Sequence, residues 1–327
     1  MRGGGRRGIA MTTKSGTCRG RHAIACAVVT AVFACQTGVA STLSEKAWIH
    51  GSENCADNRD PPLEVFSFDA STYILRQNKC VHFEAPFIYV MFGEHTVFVQ
   101  DTGATEDAGK FPLYDTIQQL VKQRGNPQLK ILVTHSHSHG DHRAADVQFR
   151  GKPGVTLVEA NAVAVREYFG FTRWPAGEAT IDLGGRQLTV LPAPGHQDES
   201  LVVYDAHTRW LLTGDSVYPG RLYVWDWDTF RASVRRMAEF ANTHPVSAVM
   251  GTHIELSRTG EQFPIGSTFQ PGEAPLPLTP QDLLQLDQSL QQAGDTPTEI
   301  TTKKFVVSPI STFQRIVSSI MKALGMR

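Results

Sequence analysis

Apolar residues along this chain fall into short runs separated by turn-forming residues, and the runs alternate between strand and helix character. Phe87-Ile88-Tyr89-Val90-Met91-Phe92, the turn Gly93-Glu94-His95 and Thr96-Val97-Phe98-Val99 predict a hairpin of β-prone strands ending at Asp101-Thr102-Gly103. Leu113, Ile117, Leu120 and Val121 then recur at helical spacing, and Gly125 with Pro127 ends that helix before the strand Ile131-Leu132-Val133-Thr134. The rhythm continues through Val155 to Val158, a helix over 161–169 and a second hairpin turning at Gly184-Gly185. Strands over 200–204 and 209–213 precede a helix with Phe230, Val234, Met237 and Ala241 on one face, then a strand over 246–250. Residues 259–278 are rich in Pro and Gly without a period and predict a long loop, and loops of that length in compact domains are often functional. Thr279-Pro280-Gln281-Asp282 supplies an N-cap, a first-turn proline and a capping-box acid for a helix through Leu290. Phe313, Val317, Ile320, Met321 and Leu324 form a last apolar face, predicting a C-terminal helix within 310–327 docked on the body; a membrane-surface helix is the alternative.

With 327 residues, 41% of them apolar and 19% charged, the chain can bury a substantial core. Its start departs from that pattern. Arg2, Arg6, Arg7, Lys14, Arg19 and Arg21 precede an apolar run from Ala23 to Ala34, and Gly38-Val39-Ala40 offers small residues before Ser41. Residues 1–40 have the layout of a secretory signal peptide, and the run is shorter than the roughly 20 apolar residues of a transmembrane helix. A periplasmic or secreted protein with no stable membrane span is therefore expected. Val32-Phe33-Ala34-Cys35 offers the alternative of a lipoprotein anchored through Cys35, although Phe33 departs from the usual small residue there. Removing residues 1–40 moves the formal charge from −1 to −7, so no phosphate-tracking nucleic-acid surface is expected. Cys55 and Cys80 are then the two cysteines left, a plausible disulfide in an oxidising compartment, with two free thiols as the alternative. Such a bond would staple an irregular arm over 41–65 to a domain over 66–309.

Four potential metal ligands sit within the six residues His137-Ser138-His139-Gly140-Asp141-His142, directly after an apolar strand. Alternate side chains of an extended segment point the same way, so His137 and His139 can share one ion. Asp141 and His142 begin a turn or helix and can face a second. Imidazole and carboxylate suit zinc, manganese or iron, and without a nearby cysteine a thiolate structural site is disfavoured. A solvated His-rich loop is the alternative. Three more apolar strands end in a potential ligand: His196 after Leu191 to Gly195, Asp215 after Trp210 to Gly214, and His253 after Ala248 to Thr252.

The order HxHxDH, His, Asp, His resembles the metallo-β-lactamase superfamily of hydrolases, matched by His137, His139, Asp141, His142, His196, Asp215 and His253 over about Ile88 to His253. The resemblance implies an α/β (α+β) fold, a four-layer αββα sandwich with two zinc ions at one edge. By it, His137, His139 and His196 would hold the first metal, Asp141, His142 and His253 the second, and Asp215 would bridge them. Asp101 fits the acid that follows the family's early hairpin. His135 forms an overlapping His-x-His with His137, but the register His137/His139 alone places Asp141-His142, leaving His135 to support ligands or pack.

Two divalent ions sharing a water would lower its pKa toward neutrality and deliver hydroxide to a carbonyl that one ion polarises. Asp141 is a ligand first and a candidate proton acceptor second. Tyr218 and Tyr223 are candidate catalytic donors to an oxyanion, with simple packing as the alternative. Ser200 is a candidate hydrogen-bond partner near the ligands or a turn serine; Trp225 and Trp227 are candidate pocket walls or core. His95, His207 and His244 lie in or beside turns and are expected to be solvated. An exported dinuclear zinc hydrolase of a small ester, lactone, thioester or amide-like substrate is the leading expectation. Against a β-lactamase, Asp215 stands where the resembled lactamases carry cysteine or no bridging acid. Against a glyoxalase-II-like thioesterase stand export and the lack of a basic cluster near the C-terminus. An iron-dependent dioxygenase on the same fold and a non-catalytic metal-binding protein are the other classes.

Overall fold

Residues with one face toward each of two neighbours must be apolar on both, and the strand Phe87–Phe92 shows the consequence. Phe87, Tyr89 and Met91 enter one core, while Ile88, Val90 and Phe92 enter another. The computed structural model describes residues 43–311. The expected leader over 1–40 and nearly all of the expected C-terminal helix lie outside those residues.

Six strands form the first sheet: β1 (Leu63–Ser67), β2 (Thr72–Gln77), β3 (Phe87–Phe92), β4 (Thr96–Gln100), β5 (Lys130–Thr134) and β6 (Val155–Leu157), in that spatial order. β1 to β4 pair antiparallel; β4, β5 and β6 pair parallel. Parallel pairing requires a crossover, supplied between β4 and β5 by α1 (Leu113–Gln123), whose Leu113, Ile117, Leu120 and Val121 are buried against the sheet. The short helices α2 (Gly140–Arg143) and α3 (Asp146–Phe149) follow β5, and α4 (Ala162–Phe169) follows β6, capped by the Asn161 side chain.

The second sheet runs in the order β13 (Pro277–Leu278), β12 (Ala248–Gly251), β10 (Trp210–Gly214), β9 (Leu201–Asp205), β8 (Gln187–Pro192) and β7 (Ala179–Asp182). β10 and β12 are parallel, joined through α5 (Trp227–Thr243). α6 (Pro280–Ala293) starts with the Thr279–Asp282 capping box and Pro280 that its sequence predicts. A small sheet, in the order β11 (Arg221–Val224), β15 (Val306–Pro309) and β14 (Ile300–Thr301), completes the fold.

Leu188, Val190, Leu201, Val203, Trp210, Leu212 and Met250 meet Ile74, Phe87, Tyr89, Met91, Phe98 and Leu132 between the two sheets. Val202, Leu211 and Val249 point the other way, onto α5 and α6. Helices thus cover both outer faces and the architecture is the four-layer αββα sandwich.

Two expectations need correction. The arm expected over 41–65 is not irregular throughout, because β1 begins at Leu63 and pairs with β2 from Leu63↔Gln77 to Ser67↔Tyr73. Its alternating pattern has no continuous apolar run, and long-range packing supplies what the pattern lacks: Leu43 and Trp48 are buried between the sheets, with Trp48 edge-on to Phe66 and Phe87. Cys55 and Cys80 form a disulfide. The segment 259–278 is likewise more than a loop. It makes bridges Leu256↔Gln262, Ser257↔Glu273 and Gly51↔Phe269, ends in β13, and sends Glu273 to a buried bidentate pair with Arg76.

Candidate metal centre

Strand ends bring the predicted ligands together. His137 and His139 follow β5, His196 follows β8, Asp215 follows β10 and His253 follows β12, while Asp141 and His142 lie in α2. Close approach at these ends demands glycine. At Gly195 (φ +132°) a Cβ would lie 2.4 Å from Phe230 Cα, and at Gly214 (φ +54°) one would lie 2.5 Å from Ser136 Cβ.

Two donor sets result, His137, His139, His196 and Asp215 in one and Asp141, His142, Asp215 and His253 in the other. In the first, His137 Nε2 lies 2.9 Å from His139 Nδ1 and 3.2 Å from His196 Nε2, and His196 Nε2 lies 3.1 Å from His139 Nδ1. In the second, His142 Nε2 is 3.1 Å from Asp141 Oδ2 and 3.4 Å from His253 Nε2, which is 3.3 Å from Asp141 Oδ2. Asp215 Oδ2 stands 3.8 Å from His137 and His196 and 3.5 Å from His142, between the sets.

The opposite ring nitrogens decide what those atoms are. His196 Nδ1–H donates to the Tyr223 carbonyl at 2.8 Å, His253 Nδ1–H to the Glu84 carbonyl at 3.1 Å and His142 Nδ1–H to Asp101 Oδ2 at 3.1 Å. Ser136 Oγ gives its proton to Asp101 Oδ2 at 2.9 Å and so accepts from His137 Nδ1–H at 3.1 Å. With tautomers assigned by this network, the Nε2 atoms of neutral His137 and His196 are two lone pairs facing each other, a repulsive arrangement that a cation between them relieves. Zinc–nitrogen bonds of about 2.0–2.1 Å in a tetrahedron put ligand atoms about 3.3 Å apart, close to the separations in both sets. The residues present therefore fit divalent metal ions.

Electrostatics agree. Burial, reinforced by the neighbouring His142, pulls His137 well below its ordinary pKa; burial and His196 pull His139 down to about 4, and burial also lowers His196. The first set thus presents neutral imidazoles, the form that binds metal. For Asp215, burial favours the neutral acid, but His142, His253 and His137 outweigh it and hold the carboxyl well below the usual range. Asp141 behaves alike beside His142 and His253. Burial opposes a charge on His142 and His253, yet the facing carboxylates raise both, His253 to about 9, so proton and metal compete for the same Nε2 atoms.

Other predicted residues divide. His135 is turned away, with Nε2 2.9 Å from Asp146 Oδ1 and Nδ1 3.1 Å from the Val158 carbonyl, outside both sets. Ser200 closes the turn after His196 by accepting from Gln197 N at 3.1 Å. Trp225 lines the cavity beside the centre, whereas Trp227 is buried core with Nε1–H on the Gly294 carbonyl. Tyr218 is buried; its hydroxyl donates to the Arg221 carbonyl, which commits its one proton inside the fold. Tyr223 is partly exposed on the cavity wall.

That cavity, about 290 Å³, opens over His139, Asp141, His196, Asp215 and His253. Phe83, Trp225, Phe263 and Ile265 give it apolar walls, and Lys79, Arg221 and Glu255 give it charge. Burial, then neighbouring Arg76, brings the Lys79 ammonium down to about 8. Sequence reasoning missed Lys79 and Arg221, which stand in no motif; 259–278, singled out as a long loop of the kind that is often functional, does contribute Phe263 to Ser267.

Among curated proteins the chain is similar to human acyl-coenzyme A thioesterase MBLAC2, 26% identical over 52% of this chain and 66% of that protein. It is also similar to hydroxyacylglutathione hydrolase of Rhizobium meliloti, 27% identical over 37% of this chain and 47% of that one. The chain thus spans less than two thirds of the length of these relatives. A solved metallo-beta-lactamase from Pontibacter korlensis is similar with a TM-score of 0.47 and 20% identity, over 70% of this chain and 99% of that one. The family model for the metallo-beta-lactamase superfamily matches residues 83–300, a span that holds every residue of both donor sets. The chain belongs to the metallo-beta-lactamase superfamily.

Proposed function

We propose that this protein is a metal-dependent hydrolase of small acyl substrates, with zinc in both donor sets and acyl thioesters as its substrate class. The observation that carries the reading is the sharing of Asp215 by two histidine-rich donor sets at the floor of a cavity. The names of both relatives, an acyl-coenzyme A thioesterase and a hydroxyacylglutathione hydrolase, support the thioester among the ester, lactone, thioester and amide-like substrates expected from the sequence. Metal ions held there would supply Lewis acidity toward an acyl carbonyl and a nucleophilic water at neutral pH.

The chain's own groups do the rest. Asp101, Ser136 and the carbonyls of Tyr223 and Glu84 fix four imidazoles with Nε2 inward. Thr252 Oγ1 donates to Asp215 Oδ1 and holds the shared carboxylate in place. Asp141 serves as a ligand, its Oδ2 already facing His142 and His253. Burial, with Glu255 nearby, raises the Tyr223 phenol, so it keeps its proton at neutral pH and can donate to an oxyanion in the cavity. Tyr218 forms wall instead. Phe83, Trp225 and Phe263 shield an acyl chain from water.

The test is elemental analysis of protein purified without added metal or chelator, followed by a panel of acyl-CoA and acylglutathione thioesters, lactones, esters and β-lactams. About two zinc ions per chain with thioester cleavage is the expected result. One iron per chain would favour the dioxygenase, and an Asp215→Ala variant that kept full hydrolysis of every cleaved substrate would sink the dinuclear reading.

Export is proposed as well, on the basic then apolar composition of residues 1–40, which lie outside the described residues. The Cys55–Cys80 bond supports an oxidising compartment. N-terminal sequencing of the expressed full chain should find Ser41 first; a lipidated Cys35 would mean anchoring, and an uncut leader would refute export.

A further inference from the structure

His253 differs from the other ligands in what aims it. His137, His142 and His196 are oriented by Ser136, Asp101 and Tyr223, which lie at the ends of β5 and β4 and within β11. His253 depends on the carbonyl of Glu84, 169 residues away, in the loop 78–86 between β2 and β3. Loop carbonyls are only as well placed as the loop is held.

The N-terminal arm holds it. Asn78 Nδ2 donates to Asn58 Oδ1 at 2.9 Å and to the Pro61 carbonyl at 3.0 Å, Asn78 Oδ1 accepts from Cys80 N at 2.8 Å, and Cys80 is bonded to Cys55 of the arm. Lys79 Nζ donates to the Phe83 carbonyl at 2.8 Å, closing the loop on itself. The arm is fixed in turn against the opposite cavity wall: Ser52 N donates to the Thr268 carbonyl and Gln270 N to the His50 carbonyl, both at 3.0 Å. Gly51 (φ +79°) passes so close that a Cβ there would lie 1.9 Å from Thr268 O and 2.9 Å from Lys79 Cβ.

We infer that the Cys55–Cys80 disulfide is a positioning device for the second metal site, holding the loop whose Glu84 carbonyl aims His253 Nε2 at Asp141 and Asp215. This rests on the two-metal reading above. The first donor set has no ligand oriented from this loop, so the bond acts on one site and not the other.

The experiment is zinc binding to the full chain by equilibrium dialysis over a range of free zinc, read as zinc per chain by elemental analysis. Wild type is expected to fill in two steps. In the Cys55→Ser/Cys80→Ser variant the first step should superimpose on wild type and the second should move to about 10-fold higher free zinc, the scale of losing an outer-shell partner. Two steps unmoved, or both moved together as a general loosening would do, overturn the proposal. A wild type that saturates at one zinc overturns the two-metal reading and this inference with it, and is seen before any variant is made. If the double variant does not fold, wild-type protein reduced and alkylated at Cys55 and Cys80 while folded breaks the same bond; a shift of the second step alone, about 10-fold, is expected. No shift there overturns the proposal.

Discussion

Replacing Arg186 with methionine should remove a polar clamp between the two sheets, and the pH dependence of the loss should identify the group left behind. Arg186, between β7 and β8, donates to Asp205 at 2.6 and 3.0 Å, to Thr72 Oγ1 at 3.0 Å and to the Ser71 carbonyl at 2.9 Å, both of the latter at the first sheet. Asp205 is fully buried at the end of β9. Burial pushes its carboxyl up, but Arg186 and Thr208 outweigh burial and hold it below the ordinary value. A carboxyl with a depressed folded pKa stabilises the fold above the unfolded value near 3.9 and loses that contribution as pH falls through the folded value.

In the variant the carboxylate stays buried, with Thr208 and the His207 amide as its remaining donors among the described residues. Breaking a buried pair from one side costs about 3–5 kcal/mol. Proton uptake caps that cost, since neutralising a carboxyl of pKa about 3.9 takes about 4 kcal/mol at pH 7 but about 1.5 kcal/mol at pH 5. The variant's deficit should therefore be about 3–4 kcal/mol at pH 7 and about 2 kcal/mol smaller at pH 5. Urea unfolding of both proteins at the two pH values, followed by tryptophan fluorescence, measures it. A deficit below about 1 kcal/mol at pH 7, or one that does not change with pH, refutes the reasoning.

Gly195→Ala should cost about 2–4 kcal/mol and lower metal content, because the new Cβ meets the α5 backbone while φ is left-handed; urea midpoints and zinc per chain report it, and a neutral outcome would mean His196 is not held by that contact. His135→Gln should cost about 1–3 kcal/mol through Asp146 and Val158 with zinc content unchanged, and loss of a metal would show that the ligand register includes His135. Phe263→Ala should raise KM for acyl substrates several-fold with metal content intact, since Phe263 lines the cavity and is no ligand; an unchanged KM across the substrate panel would exclude it from the acyl site. Deleting 259–278 outright is not an equivalent test, because it removes β13 and leaves Arg76 buried without Glu273.

Local pattern was enough to read the strand and helix alternation and to single out the His and Asp residues that the fold gathers at strand ends, whereas the αββα layering and the split into two donor sets followed from the family resemblance those residues carry. Strands such as Phe87–Phe92 bury both faces and so write unbroken apolar runs, and Thr279-Pro280-Gln281-Asp282 is a cap whose partners are three residues apart. Metal ligands at strand ends are equally local, because the strand geometry that aims His137 is written beside it. What aims the other end of each imidazole is not local. The Glu84 carbonyl and His253, or Arg76 and Glu273 separated by 197 residues, carry no sequence periodicity that links them. Trp225 and Trp227 differ by two positions, yet one lines the cavity and the other is core; Tyr218 and Tyr223 both reach the cavity wall, yet the Tyr218 hydroxyl is committed to the Arg221 carbonyl. Only tertiary packing decides such cases, because the direction of a loop side chain is set by which distant backbone it meets.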